Sequence, residues 1–122
     1  MSEQERQRIQ MSLHAIEDML KRSMKAQEKF KPKTSQFSLQ TNRIRMLQIA
    51  SSLLSCKLTG EDIHLEYPRV LLEGAMAPLL SLIGKSEKAK GKLDPHSWQY
   101  KMLEDNLDAL SQVRELLVAT LR

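Results

Sequence analysis

Few residues in this chain combine a reactive type with a useful spacing, and Cys56 is the first to consider. It is the only thiol, and the positive charge of Lys57 beside it favours the thiolate that a nucleophile needs. No histidine lies near it in the sequence to act as a base, although folding could bring His14 close. Free cysteine is also among the most buried residue types. A structural thiol is therefore the favoured interpretation.

Glu61 and His64 form a Glu-x-x-His pair, which is part of the ligand set that di-iron helical bundles use. Such a site needs a second pair and two further glutamates that face inward. Neither of the other two histidines, His14 and His96, has a glutamate three residues before it. We therefore expect no metal site.

Gly84-Lys85-Ser86 resembles the end of a phosphate-binding loop in its residue types alone. The full motif requires a glycine five residues before Gly84 and a preceding strand, and position 79 is leucine. No paired carboxylates or serine nucleophile motif is visible either. The sequence thus predicts that the protein is not an enzyme, that it needs no cofactor and that it has no small-molecule substrate.

The clearest departure from an ordinary composition is a segment without acidic residues, which spans residues 29–60. Its six basic residues are Lys29, Lys31, Lys33, Arg43, Arg45 and Lys57. With this segment, residues 1–60 carry a formal charge of +6, whereas residues 61–122 carry −2. Such a charge asymmetry indicates an acidic partner or head-to-tail packing between copies.

Four of these bases are the candidate contacts for an anion or a nucleic acid: Lys31, Lys33, Arg43 and Arg45. The amide and hydroxyl side chains around them, at positions 36, 40, 41 and 42, are types that contact base edges and phosphates. However, Arg43 and Arg45 point about 200° apart if they lie on a helix. No aromatic residues alternate with the bases to stack on single strands. Nucleic-acid binding is therefore the alternative hypothesis.

The bulk composition predicts one small helical domain over residues 1–122. A hydrophobic content of 41% with 28% charged residues is typical of a globular chain, whereas 4% aromatics argues against a sandwich or barrel. A single cysteine excludes an internal disulfide. The N-terminus has no apolar signal region, and no apolar run is long enough to cross a membrane. We expect a cytoplasmic location.

Apolar residues recur every three or four positions in four long segments, which is the spacing of one helix face. The segments run over about 2–27, 34–60, 68–91 and 94–122. The short links between them favour antiparallel neighbours. The predicted fold is therefore an all-α, up-down four-helix bundle. Pro78 lies inside the third helix, where it removes a backbone hydrogen bond to Gly74, so we expect a kink there.

The helix ends carry capping signals. Ser2 caps the first helix, Thr34 or Ser35 caps the second, and Gly60 suits a left-handed residue at its end. Pro68 fits the first position of the third helix, and Gly91 its end. At the last junction we expect Asp94 as N-cap, Pro95 as first helical residue, and a hydrophobic staple between Leu93 and Trp98. The staple would leave Trp98 partly buried.

Asn106 lies among the apolar positions of the fourth helix, where a boundary residue or a buried polar contact that fixes register is favoured over a specificity or ligand group. With no catalytic or metal set, the remaining feature is the width of the apolar stripes. The sequence predicts a non-enzymatic helical interaction module that binds another protein or a second copy of itself. The alternative is a small basic regulatory protein that binds nucleic acid through residues 29–60.

Overall fold

The computed structural model describes all of residues 1–122 as four α-helices joined by short connections. They are α1 (Glu3–Gln27), α2 (Ser35–Thr59), α3 (Arg69–Gly91) and α4 (Trp98–Leu121), with a single 3₁₀ turn at Ile63–Leu65 between α2 and α3. There is no strand, so the predicted all-α class is confirmed. None of the helices has both the length and the apolar character needed to cross a bilayer.

The helices pack as a bundle in which each contacts its neighbours along the chain and α4 closes back on α1. Helices α2 and α4 also touch across the middle. Because the connections are short, successive helices run antiparallel. The α1–α2 turn and the α3–α4 turn therefore lie at the same end of the bundle, and this end becomes important for the charge distribution.

One continuous apolar core holds the four helices together. Every helix contributes fully buried side chains at the spacing that the sequence predicted, and the largest of them are Ile16, Met46, Leu47, Leu54, Leu72, Leu79, Leu110, Val113 and Leu117. Burial of each such side chain stabilises the fold by about 1.5–3 kcal/mol. The four helices therefore share one core.

Three predicted helix ends are confirmed. The Ser2 hydroxyl accepts a hydrogen bond from the Glu5 amide at 3.1 Å, and Thr34 caps α2 by accepting from the Phe37 amide at 3.2 Å. Gly60 ends α2 with φ of 81°, a left-handed conformation that glycine adopts without steric cost. These signals are local, which explains why the sequence located them well.

The predicted start of α4 is wrong. The helix begins at Trp98, and Ser97 is the N-cap, with its hydroxyl accepting from the Tyr100 amide at 3.2 Å. Asp94 instead closes a separate turn, because its carboxylate accepts from the His96 amide and its carbonyl from the Ser97 amide. Pro95 is thus outside the helix. The staple is absent, since Trp98 is 71% exposed.

Helix α3 differs from its prediction at its first residue, and it ends at Gly91 as predicted. Pro68 occupies the N-cap position, so Arg69 is the first helical residue. Gly91 is the last helical residue and does not adopt a left-handed φ, since Lys92 follows it in a right-handed conformation. The helix continues without interruption through Pro78. A bend at this proline remains a prediction.

Candidate interaction site

The structure separates the four basic residues that the sequence singled out into two groups. Lys31 and Lys33 are exposed in the α1–α2 turn, where Lys33 is the only non-glycine residue with a positive φ, 71°. Arg43 and Arg45 lie in the third turn of α2, with Arg45 exposed and Arg43 half-buried. The two lysines therefore share one end of the bundle, and the two arginines do not form a common surface.

The inside of the bundle near this end is polar. Burial lowers the pKa of the Arg43 guanidinium, which has no acidic residue within ion-pair distance. One turn earlier on α2, the side-chain oxygen of Gln40 is buried and receives no hydrogen bond. The Gln27 amide donates to the Thr41 hydroxyl at 2.7 Å in the same region. Polar side chains thus replace apolar ones inside the bundle near the two turns.

The positive charge of the protein is concentrated at this end. We define the basic end as residues 21–41 and 85–104, which are the two turns with the nearest seven residues of each helix. The basic end contains 11 Lys and Arg against four Asp and Glu, a formal charge of +7. The remaining 81 residues contain eight against 11, a charge of −3. Charge is therefore segregated between the ends of the bundle more strongly than between the halves of the sequence.

The α3–α4 side of the basic end was missed by sequence reasoning. Its lysines include Lys85, Lys88, Lys90 and Lys92, which lie more than 50 residues from Lys31 and Lys33. They come to the same end only because the bundle runs up and down. Lys90 also places its ammonium group 5.2 Å from the centre of the Tyr100 ring, within cation–π range.

A groove with a volume of about 810 Å³ runs between α1 and α4. It extends along α1 from Gln7 to Arg22, which corresponds to about 22 Å of helix. Two large apolar side chains border it, Met11 from α1 and Trp98 from α4, and they are 72% and 71% exposed. Exposed methionine and tryptophan beside a groove are typical of a protein-binding surface. We call this feature the α1–α4 groove.

Asn106 lines the α1–α4 groove although only 6% of its surface is accessible. Its side-chain amide makes no hydrogen bond within the chain. By contrast, the neighbouring polar groups are satisfied: the Gln112 amide donates to the Ser12 hydroxyl at 2.6 Å and to the Asp108 carboxylate at 2.9 Å. The Asn106 amide therefore borders the groove without a hydrogen-bond partner in the chain, and its role stays a prediction.

Two carboxylates beside the α1–α4 groove form ion pairs, and a third lies close to a histidine. Asp108 pairs with Arg8 at 2.7 Å, Asp105 pairs with Lys101 at 3.1 Å, and Asp18 lies 3.5 Å from His14. The hydrogen bond to Asp108 raises the pKa of the Arg8 guanidinium, and the one to Asp105 raises the pKa of the Lys101 ammonium. Exposed pairs of this kind add little stability, but they leave few free charges beside the groove.

Cys56 faces a separate pocket near the end of α2, which it shares with His64. Burial and the nearby carboxylates, of which Glu66 contributes most, raise the pKa of the Cys56 thiol. The thiol is thus held in its protonated form at neutral pH, which weakens it as a nucleophile. No group of three or more potential metal-ligating side chains is present.

Comparison of the chain with protein-family models, with curated proteins and with solved structures found no significant match.

Proposed function

We propose that the protein is a non-enzymatic interaction module that binds a segment of another protein in the α1–α4 groove. The observation that supports this most is the pairing of two exposed anchors, Met11 and Trp98, with the free amide of Asn106 in one groove. Tryptophan is enriched among the few residues that dominate binding energy at protein interfaces. A tryptophan that is 71% exposed contributes little to the core, and a partner would bury its ring.

The chemistry of the groove defines the kind of partner. Its apolar borders call for apolar side chains, and Asn106 calls for one polar group that can donate or accept a hydrogen bond. Since the surrounding carboxylates are already paired, the partner requires no strong net charge. About 22 Å of groove accommodates four turns of an amphipathic helix. We therefore assign an amphipathic helical segment as the ligand.

A library of amphipathic helical peptides displayed on phage and selected on the immobilised protein tests this proposal. We expect enriched peptides to bind the wild-type chain and to shift the emission of Trp98, the only tryptophan, to shorter wavelength. Trp98→Ala should weaken their binding by about 2 kcal/mol, or roughly 30-fold, as expected for a central anchor.

The matched control is Leu39→Asp, which alters another exposed apolar residue, on α2 outside the groove. Met11→Asp should abolish peptide binding, whereas Leu39→Asp should leave the affinity unchanged. Peptides that bind both variants as tightly as the wild type would show that the groove is not the binding site.

A second candidate function is binding of nucleic acid, and the charge of +7 at the basic end favours it. The proposed contacts change with the structure: Lys31 and Lys33 remain, and Lys88, Lys90 and Lys92 join them from the other turn. A compact cluster of lysines attracts phosphates without reading base sequence. The contribution of Arg43 and Arg45 to such a surface is small because they lie farther from the α1–α2 turn and on different sides of α2.

Fluorescence anisotropy with mixed-sequence DNA and RNA over a salt series tests the second candidate. Lys31→Glu and Lys90→Glu should each weaken binding and reduce the salt dependence by about one phosphate contact. Lys57→Glu is the matched control, since Lys57 belongs to the acid-free segment but lies at the opposite end of the bundle. No binding at low salt, or equal effects of all three substitutions, would contradict this function.

A further inference from the structure

One basic side chain that lines the α1–α4 groove has no partner of opposite charge. The Arg22 guanidinium makes no ion pair, and its only hydrogen bond runs from Nη1 to the sulfur of Met102 on α4 at 3.7 Å. A thioether is a weak acceptor, whereas a guanidinium has five donors whose geometry matches a carboxylate. Arg22 therefore reaches from α1 across to α4 with most of its donors free for a ligand.

The carboxylates that line the groove do not compete for this guanidinium. Asp18 lies one turn before Arg22 on α1, where the two side chains could pair, but the Asp18 carboxylate lies beside His14 at 3.5 Å. The other two lining carboxylates pair with basic side chains of their own. A negative charge that approaches Arg22 from outside the chain thus displaces no internal ion pair.

The surroundings of Arg22 also favour a negative charge. Arg22 belongs to the basic end, whose formal charge is +7. Trp98 lies one turn before Met102, on the same side of α4, and its exposed ring forms the end of the groove beside the guanidinium. An apolar ring reduces the access of water to an ion pair next to it, which strengthens the attraction between the charges.

Two contacts define how α1 and α4 are aligned along the groove. Arg22 contacts Met102, and the Gln112 amide donates to the Ser12 hydroxyl ten residues farther along each helix. The two helices run antiparallel, so residues that lie equally far from the first contact share one level. Each residue along the helix adds about 1.5 Å.

A second polar level lies one turn deeper in the groove. Asp18 and Asn106 are each four residues from the Arg22–Met102 contact, so both lie about 6 Å from it. Asn106 is buried except for 6% of its surface and has no hydrogen-bond partner in the chain. A carboxylate and an amide at this level can both accept a hydrogen bond from a ligand.

We propose that the segment bound in the α1–α4 groove carries a carboxylate opposite Arg22 and a hydrogen-bond donor one turn away, opposite Asp18 and Asn106. This inference rests on the proposed function and adds the position of one charge to it. Side chains four residues apart lie about 6 Å apart on one face of a helix, which is the separation of the two levels. A glutamate or aspartate and an amide or amine four residues away therefore fit both levels. A carboxylate at the deeper level would be repelled by Asp18.

Selection of amphipathic helical peptides on two forms of the protein tests this assignment. On the wild type we expect an acidic residue at one position of the apolar face in the enriched peptides. On Arg22→Glu we expect lysine or arginine at the same position. Arg45→Glu is the matched control, because Arg45 is exposed on α2 and also makes no ion pair; it should enrich the same acidic residue as the wild type. Circular dichroism shows whether both variants keep the helical fold.

The affinity of the most enriched wild-type peptide, measured by fluorescence anisotropy at low ionic strength, tests the pairing directly. Arg22→Glu should weaken its binding about tenfold, because repulsion replaces attraction, and Arg45→Glu should leave it unchanged. Replacing the peptide's acidic residue by lysine should restore binding to Arg22→Glu. Moving the acid four residues along the peptide, to the level of Asp18, should weaken binding to the wild type.

Enriched peptides without an acidic residue, or equal binding to Arg22→Glu and Arg45→Glu, would overturn the inference. If Met11→Asp still abolished the binding of those peptides, the proposed function would stand without the charge assignment. A selection that enriches no peptide would overturn both.

Discussion

Replacing Gly74 and Gly84 by alanine should stabilise the isolated chain. Both residues lie well inside α3, and the new methyl groups would contact nothing within 4 Å. Alanine therefore causes no clash and reduces the conformational freedom of the unfolded chain. The expected gain is about 0.8–1 kcal/mol for each residue. Because the two sites are about 15 Å apart along the helix, the double variant should gain about 2 kcal/mol.

Urea denaturation followed by circular dichroism measures this effect. Gly60→Ala is the matched control, since the same substitution at φ of 81° should destabilise the fold by about 1 kcal/mol or more. A gain in stability from alanine at Gly74 and Gly84, with a loss at Gly60, would show that the backbone conformation of each glycine decides the effect of the substitution.

The result that would refute this reasoning is a loss of stability in Gly74→Ala or Gly84→Ala. It would mean that the backbone of α3 needs glycine for an internal reason.

Three further predictions concern single residues. Gln40→Met should stabilise the fold by about 1 kcal/mol in urea denaturation, because it removes a buried oxygen that accepts no hydrogen bond. A loss of stability would show that this oxygen has a hydrogen-bond donor in solution. Trp98→Ala should change stability by less than about 1 kcal/mol, and a larger loss would mean that the ring is buried. The rate at which iodoacetamide alkylates Cys56 should rise with pH according to a thiol pKa above that of a free cysteine. Rapid alkylation at pH 7 would contradict a protonated thiol.

Helix content and the main core positions could be predicted because both follow from local spacing. Apolar residues at three- and four-residue intervals define one face of each helix, and Gly60 and Thr34 act within a single turn of the chain. The start of α4 was harder, since both Asp94 and Ser97 are good caps and the segment between them contains a proline. Asp94 accepts hydrogen bonds within the turn that precedes α4, and Ser97 is therefore the N-cap of the helix.

The candidate surfaces depend on contacts between distant parts of the chain, and the sequence reveals them only in part. Lys31 and Lys90 lie at the same basic end because α2 runs antiparallel to α1, and α3 runs antiparallel to α2. The α1–α4 groove forms between the first and the last helix, so no local pattern connects Met11 with Trp98. The uncharged run of residues 74–84 was visible in the sequence, but only the structure shows which four of its 11 residues are exposed to solvent.

Site-specific photo-crosslinking in the cells that produce the protein tests most directly whether the α1–α4 groove binds another protein. A photoreactive phenylalanine analogue replaces Trp98 or Met11 in the groove, or Gln48 on the exposed side of α2 as a control. We predict that the two groove positions capture the same partner protein, through a helical segment identified by mass spectrometry, and that position 48 captures none. Adducts at position 48 alone, or no adducts at either groove position, would contradict the proposed function.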